Sequence, residues 1–189
     1  MNRPQIVERY IRMARIAGTV VECVCQPDLP LRLAEVLGQA GEPKIAAMSA
    51  TGWPEGFRQS IEAIVVSSGF EVRMPCKDPG GYTWDIGGVE AASVGLVWCE
   101  HFLADTGSLV LATGQGRGGL STLLPPISIV LSDATGCIEG LADYFQQIGQ
   151  RLPSRLTLAT GPSCTGDIEA TMTRGVHGPQ KVVHFILCD

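Results

Sequence analysis

The chain has 189 residues, with 14 Lys+Arg against 19 Asp+Glu and a net charge of −5. Apolar residues make up 45% and charged residues 17%, which excludes a disordered chain, because disorder goes with low hydrophobicity and high net charge. The acidic balance excludes a dedicated nucleic-acid binder, which needs a basic stripe to displace counterions. Charges also break every apolar run well short of the roughly 20 residues of a membrane span.

The length fits one compact domain over residues 1–189, at roughly 100–200 residues per domain. Residues 1–75 read as helix–strand repeats. Ile6, Tyr10, Met13 and Ala17 recur at helical spacing, so residues 4–17 form an amphipathic helix that Gly18 closes. Thr19-Val20-Val21-Glu22-Cys23-Val24 reads as a strand. Leu29, Leu33, Leu37 and Ala40 mark a second helix, with Asp28 as its N-cap and Gly41 as its stop. Lys44-Ile45-Ala46-Ala47-Met48 reads as a buried strand. Phe57, Ile61, Ile64 and Val65 give a third helix, and Phe70, Val72 and Met74 alternate with Glu71 and Arg73 as a strand does. This alternation predicts an α/β fold, a mainly parallel twisted sheet with flanking helices.

Residues 75–88 are glycine-rich and read as a linker. Strands follow at 94–97, 108–112, 126–131, 156–159 and 181–187. Ile138, Leu141, Phe145 and Ile148 predict a helix, and residues 167–174 a shorter one.

The N-terminus has no apolar core with a cleavage site, so it is not a secretory signal, and a cytoplasmic location is expected. Seven dispersed cysteines without a Cys-x-x-Cys read as reduced thiols, with Cys23-Val24-Cys25 taken as core packing. No metal-ligand pattern is present and no cofactor is expected in this chain.

Four segments carry candidate chemistry. Gly114-Gln115-Gly116-Arg117-Gly118-Gly119 has the spacing of a dinucleotide fingerprint. That motif must open a helix, and Pro125-Pro126 leaves no room for one. The segment is then either a flexible glycine loop or a cradle in which backbone N–H groups and Arg117 hold a small anion. Asp105-Thr106-Gly107-Ser108 is either a tight turn or a carboxylate placed as nucleophile or base. Gly161-Pro162-Ser163-Cys164-Thr165-Gly166-Asp167-Ile168-Glu169 leads from a strand into the 167–174 helix. Its polar residues either cap that helix or form a ligand site beyond a strand's carboxyl end. A thiolate at Cys164, stabilised by the helix start, is a weaker third reading. Of the three histidines, His184 interrupts an apolar run and reads as a hydrogen-bonded sheet residue. His177, in Gly175-Val176-His177-Gly178-Pro179, is the acid–base candidate. These segments are expected to converge on one site.

Taken together, Asp105-Thr106-Gly107-Ser108-Leu109-Val110-Leu111, Leu123-Leu124-Pro125-Pro126, Gly161-Pro162-Ser163 with Thr165 and Asp167-Ile168-Glu169, and Gly175-Val176-His177-Gly178-Pro179 resemble the LUD domain, the lactate-utilization protein C family. The likeness is specific over residues 88–189 and looser before them. Family members often carry Thr where Ser108 stands, His where Ser128 stands, Arg where Cys164 stands and Ala where Gly166 stands. The resemblance implies a fold of the NagB/RpiA/CoA-transferase group. It also implies a place beside iron–sulfur subunits that oxidise L-lactate to pyruvate, with the clusters on those partners.

Two functions compete. One is an accessory or ligand-binding subunit of such a system. The other is a stand-alone enzyme of CoA-transferase or sugar-phosphate isomerase type, with Asp105 as nucleophile or base and His177 assisting. In both, Thr106, Gly107, Ser108, Arg117, Ser163, Thr165, Asp167 and Glu169 line the substrate site. The low charge content also predicts a covered surface, through a partner or a homo-oligomer.

Overall fold

The computed structural model describes residues 2–117, 119–150, 152–166 and 172–188. Asn2 opens α1 (Arg3–Ile16) with a capping box. Its side chain accepts from the Gln5 N–H at 3.2 Å, and its own N–H donates to the Gln5 side chain at 3.3 Å. Gly18, at φ +92°, turns the chain out of the helix. β1 (Val20–Val24), α2 (Leu29–Leu37), β2 (Ile45–Met48), α3 (Phe57–Ser67) and β3 (Glu71–Arg73) follow in the predicted order. α2 ends at Leu37, short of Gly41, and Asp28 makes no side-chain cap bond.

The predicted linker is structured: it forms a hairpin, β4 (Cys76–Asp78) and β5 (Gly81–Thr83), and enters α4 (Ile86–Glu90). Then come β6 (Val94–Trp98), β7 (His101–Leu103), β8 (Ser108–Thr113), α5 (Gly119–Leu123) and β9 (Ile127–Asp133). β10 (Cys137–Ile138), α6 (Leu141–Ile148), β11 (Arg155–Ala159), β12 (Cys164–Gly166), β13 (Met172–Arg174) and β14 (Lys181–Leu187) complete the chain.

The main sheet has six strands in the order β1-β14-β9-β6-β2-β3, all parallel. Its central strands β9 and β14 are buried along nearly their whole length, as expected of a sheet covered on both faces. Leu33, Leu37, Ile61 and Val65 of α2 and α3 pack one face, against Leu96, Ile129, Leu131 and Phe185. The other face, with Val97, Val130 and Ile186, packs against Tyr10 and Ala14 of α1 and against Phe102 and Leu109 of a second sheet. That second sheet has the order β10-β7-β8-β11, and α6 covers its far side through Tyr144. Each wholly buried Leu or Ile contributes about 1.5–3 kcal/mol relative to exposure.

Four sequence readings are corrected. Ile138 belongs to β10, because Gly140 sits at the start of α6 in extended conformation and separates the two. The helix at 167–174 does not reach Arg174: β12 and β13 pair antiparallel, with Thr165 opposite Thr173, residues whose β-branching suits a strand. Cys164 lies on a strand, and Asp167 and Glu169, with the helix start expected there, lie outside the described residues. Cys23 and Cys25 are exposed rather than core, because β1 is an edge strand. Finally, a one-turn helix, α5, does fit before Pro125. It fits because Gly95 lets it lie directly on β6: a Cβ there would stand 1.6 Å from the Ser121 carbonyl oxygen.

The layers are joined at His184, which is wholly buried. Tyr10 Oη lies 2.7 Å from its Nδ1, and Ser132 Oγ lies 2.7 Å from its Nε2. Whichever ring nitrogen carries the proton therefore finds a partner. Phe102 meets the ring edge-on at 5.1 Å. Burial pushes the His184 imidazole down to about 3 and holds the Tyr10 phenol well above its ordinary range.

Two outcomes follow from this junction. Tyr10→Phe leaves a buried ring nitrogen unpaired and lowers unfolding stability in urea by about 1–3 kcal/mol. Between the unfolded value of about 6.5 and the folded value of about 3, the unfolded chain binds the extra proton. Stability therefore rises with pH across that window and falls as the solution is acidified, by up to about 1.4 kcal/mol per pH unit for this group. Imidazole NMR signals of His184 should stay those of the neutral ring from pH 8 to about 4.5; a midpoint near 6.5 would contradict the burial argument.

Candidate functional site

From β2 the chain moves outward to β3, whereas from β6 it moves the opposite way, to β9 and then β14. β2 and β6 are neighbours, so the direction of connection reverses between them. In open α/β sheets the crevice beyond the carboxyl ends at such a point is where ligands bind. Here the segment after β2 and the segment after β6 meet the glycine loop. Thr51 Oγ1 donates to the Gln115 carbonyl at 2.6 Å, and the Ala50 N–H donates to the Gly116 carbonyl at 3.0 Å. Tyr82 of the β4–β5 hairpin lies against Gly116, where a Cβ would come within 2.9 Å of the ring.

A crevice of about 370 Å³ opens beside this loop, lined by Glu100, His101, Thr113, Arg117, Tyr144 and Ser154. Arg117 lays its stem over Gly52 and reaches Glu100 with both terminal nitrogens, at 2.7 and 3.0 Å. His101 stands at the carboxyl side of β6, its ring edge-on to Tyr144 at 5.5 Å. Its Nδ1 is buried and makes no hydrogen bond within the protein. Burial lowers the His101 imidazole from its ordinary value, opposed by Glu100 and by a backbone bond at Gly136. Burial, and then the Glu100 charge, raises the Tyr144 phenol. The crevice thus offers a bidentate cation already engaged by a carboxylate, an imidazole held toward its neutral form, and a phenol held protonated. On the other side of Arg117 a wider groove contains Lys77.

The predicted residues occupy two regions rather than one: the Asp105–Ser108 and Ser163/His177 segments are neighbours, and Arg117 stands apart. Arg117 lies in the crevice. Asp105 precedes β8 and Arg117 follows it; a six-residue strand separates its ends by about 16 Å, so the expected convergence does not occur. Near Asp105 the motif ties itself and a neighbouring segment together. Ser108 Oγ lies 2.7 Å from Thr160 Oγ1 and donates to Thr106 Oγ1 at 2.7 Å, and Thr106 donates to Asp105 Oδ1 at 3.2 Å. Gly107, at φ +70°, packs on α1 where a Cβ would stand 2.3 Å from the Ala14 nitrogen. This is the tight-turn geometry.

Ser163 and His177 meet beside this segment, around a cavity between the two sheets that Leu109 also lines. The Ser163 N–H donates to the Pro179 carbonyl and the Gly175 N–H to the Ser163 carbonyl, both at 2.9 Å. Thr165 lies on β12. Sequence reasoning missed Glu100, His101 and Tyr144. The available signal was a charged residue and a histidine directly after an apolar strand, the position a parallel sheet reserves for ligands.

The architecture is that of an α/β protein built on a parallel sheet, with a polar crevice between the loop after β8 and α6. The LUD domain pattern matches residues 88–187, and the chain belongs to the LUD domain family. It is 35% identical over 118 residues to "Uncharacterized protein YkgG" of Escherichia coli K12, covering 59% of this chain and 51% of that protein. It is 30% identical over 106 residues to "Lactate utilization protein C" of Halalkalibacterium halodurans, covering 53% and 46%. A Geobacillus protein of the same name is 33% identical over 106 residues, covering 53% and 44%. The match spans about half the length of these relatives. A solved structure titled as a DUF162 family protein from Deinococcus radiodurans superposes with TM-score 0.67, over 100% of this chain and 99% of that one. At 17% identity this is a likeness of fold.

The Glu100–Arg117 pair is about 40% exposed, with side-chain values of 46% and 36%, so solvent screens it. Glu100→Gln should change unfolding stability by less than about 1 kcal/mol in urea titration; a larger loss would mean that the pair holds the fold rather than the crevice.

Proposed function

We propose that the protein serves in lactate utilization as a ligand-binding subunit. In this reading it holds a small 2-hydroxy or 2-oxo acid in the crevice beside Arg117, while iron–sulfur partner subunits carry the clusters and accept the electrons. A cytoplasmic setting belongs to the same reading. The observation that carries it is that the Arg117 guanidinium and the His101 imidazole line one crevice. Arg117 already grips a carboxylate through two parallel bonds, the geometry in which guanidinium recognises carboxylic acids. A ligand carboxylate takes the place of Glu100. The His101 imidazole, which lines the same crevice, then exchanges a hydrogen bond with the ligand's 2-hydroxyl or 2-oxo oxygen. The relatives' name supplies the acid.

The stand-alone enzyme built on Asp105 has less support. Asp105 sits about a strand's length from Arg117, and its carboxylate is engaged by its own turn.

The test is thermal unfolding with L-lactate and with pyruvate. An acid present at about 100 times its Kd stabilises the fold by about 2.7 kcal/mol. Arg117→Gln abolishes that gain, while Glu100→Gln, which removes the competing carboxylate, strengthens binding. Affinity purification from the source cells returns iron–sulfur subunits. Absence of both the acid-dependent shift and the partners would overturn the reading.

A further inference from the structure

The cavity between the two sheets has a volume of about 130 Å³ and lies near the amino ends of β9 and β14, away from the crevice. Its walls are largely apolar, with Leu109, Leu123, Ala159 and Val182 among them. Ser128 also lines it. This residue has no solvent exposure, and its Oγ finds no hydrogen-bond partner in the protein. A hydroxyl buried without a partner is destabilising, and such groups in native proteins answer to a bound water or a ligand. His177 is exposed and stands on the same cavity, as does Ser163. No Lys, Arg, Asp or Glu lines it among the described residues.

We propose that this cavity is a binding site for a small uncharged aliphatic alcohol or carbonyl compound, whose oxygen is held by Ser128 and whose carbon body fills the space between Leu109, Leu123 and Val182. Size sets the upper limit. An apolar protein cavity of about 150 Å³ takes up one benzene, so about 130 Å³ accommodates about five or six non-hydrogen atoms. Charge sets the class. A carboxylate inside would lose its hydration with no lysine or arginine to replace it, a large penalty, whereas one hydroxyl or carbonyl group matches the one orphan hydroxyl. A lone water is the rival occupant, but it would leave most of the apolar volume empty. This site is separate from the acid-binding crevice, and it stands whether or not lactate binds there.

The test uses butan-2-one and butan-1-ol as neutral probes and butyrate as a charged one of similar size, titrated into the full chain. Binding is followed by the imidazole NMR signals of His177. Both neutral probes should produce saturable shifts at His177, and butyrate none. Ser128→Ala should weaken the neutral probes about tenfold, the loss of one hydrogen bond, and Ala159→Val should abolish their binding by filling the cavity. Circular dichroism and the signals of His184 confirm that each variant is folded. Absence of saturable binding, equal affinity in Ser128→Ala, or tighter binding of butyrate would each overturn the proposal. So would a crystal structure in which a water stays on Ser128 in the presence of butan-2-one. A lactate response confined to His101 leaves these outcomes unaffected.

Discussion

The buried bracket at His184 is the constraint on which the rest of the structure depends. One imidazole at the centre of β14 is held by a phenol from the first helix and a hydroxyl from β9, with Phe102 of β7 against its face. These four elements come from the beginning, middle and end of the chain. A polar group in a wholly apolar layer is tolerated only where every bonding position is met. The bracket therefore admits a single placement of α1 and of the second sheet on the main one. Both cavities are consequences of that placement. The first lies between the sheets. The second forms where the loop after β8 folds back over the carboxyl ends of β2 and β6.

Topology then selects between the two openings. Parallel strands send their carboxyl ends to one side of the sheet, and at the reversal between β2 and β6 the loop after β8 bridges the segments that follow them. Glu100 and His101 follow directly from β6, and Arg117 is brought in by a loop whose carbonyls are tied to Ala50 and Thr51. The amino-side cavity has the opposite character: it is apolar, lacks lysine and arginine among the described residues that line it, and contains one unpaired hydroxyl. One crevice thus suits a charged acid, and the other suits an uncharged oxygen compound.

Much of the first half was legible in the sequence because its signals are local. The spacing of Ile6, Tyr10 and Met13, or of Phe57, Ile61 and Ile64, is a helical period that needs no tertiary contact to read. The long buried strand Lys181–Leu187 was equally plain. The second sheet was not, for physical reasons. β7 and β10 are three and two residues long, too short to show alternation. Ile138 also falls in phase with the α6 helix although Gly140 interrupts it. The site was partly legible. Arg117, Ser163 and His177 were singled out by the glycines and turns around them. Glu100, His101 and Tyr144 were not, because only the fold brings α6 up to the end of β6. The distance between Asp105 and Arg117 was misjudged because a strand's length intervenes between neighbouring motifs.

The three histidines occupy the three places that matter: His101 in the crevice, His177 at the apolar cavity and His184 in the core. One titration therefore addresses the central claim. Long-range ¹H–¹⁵N spectra of the imidazoles, recorded while L-lactate is added to the native chain, report all three sites at once. The account predicts a saturable shift of the His101 signals, with His184 and His177 unmoved. Lactate-dependent shifts at His177 alone, or no shift at any ring, would contradict the assignment of the acid site to the crevice beside Arg117.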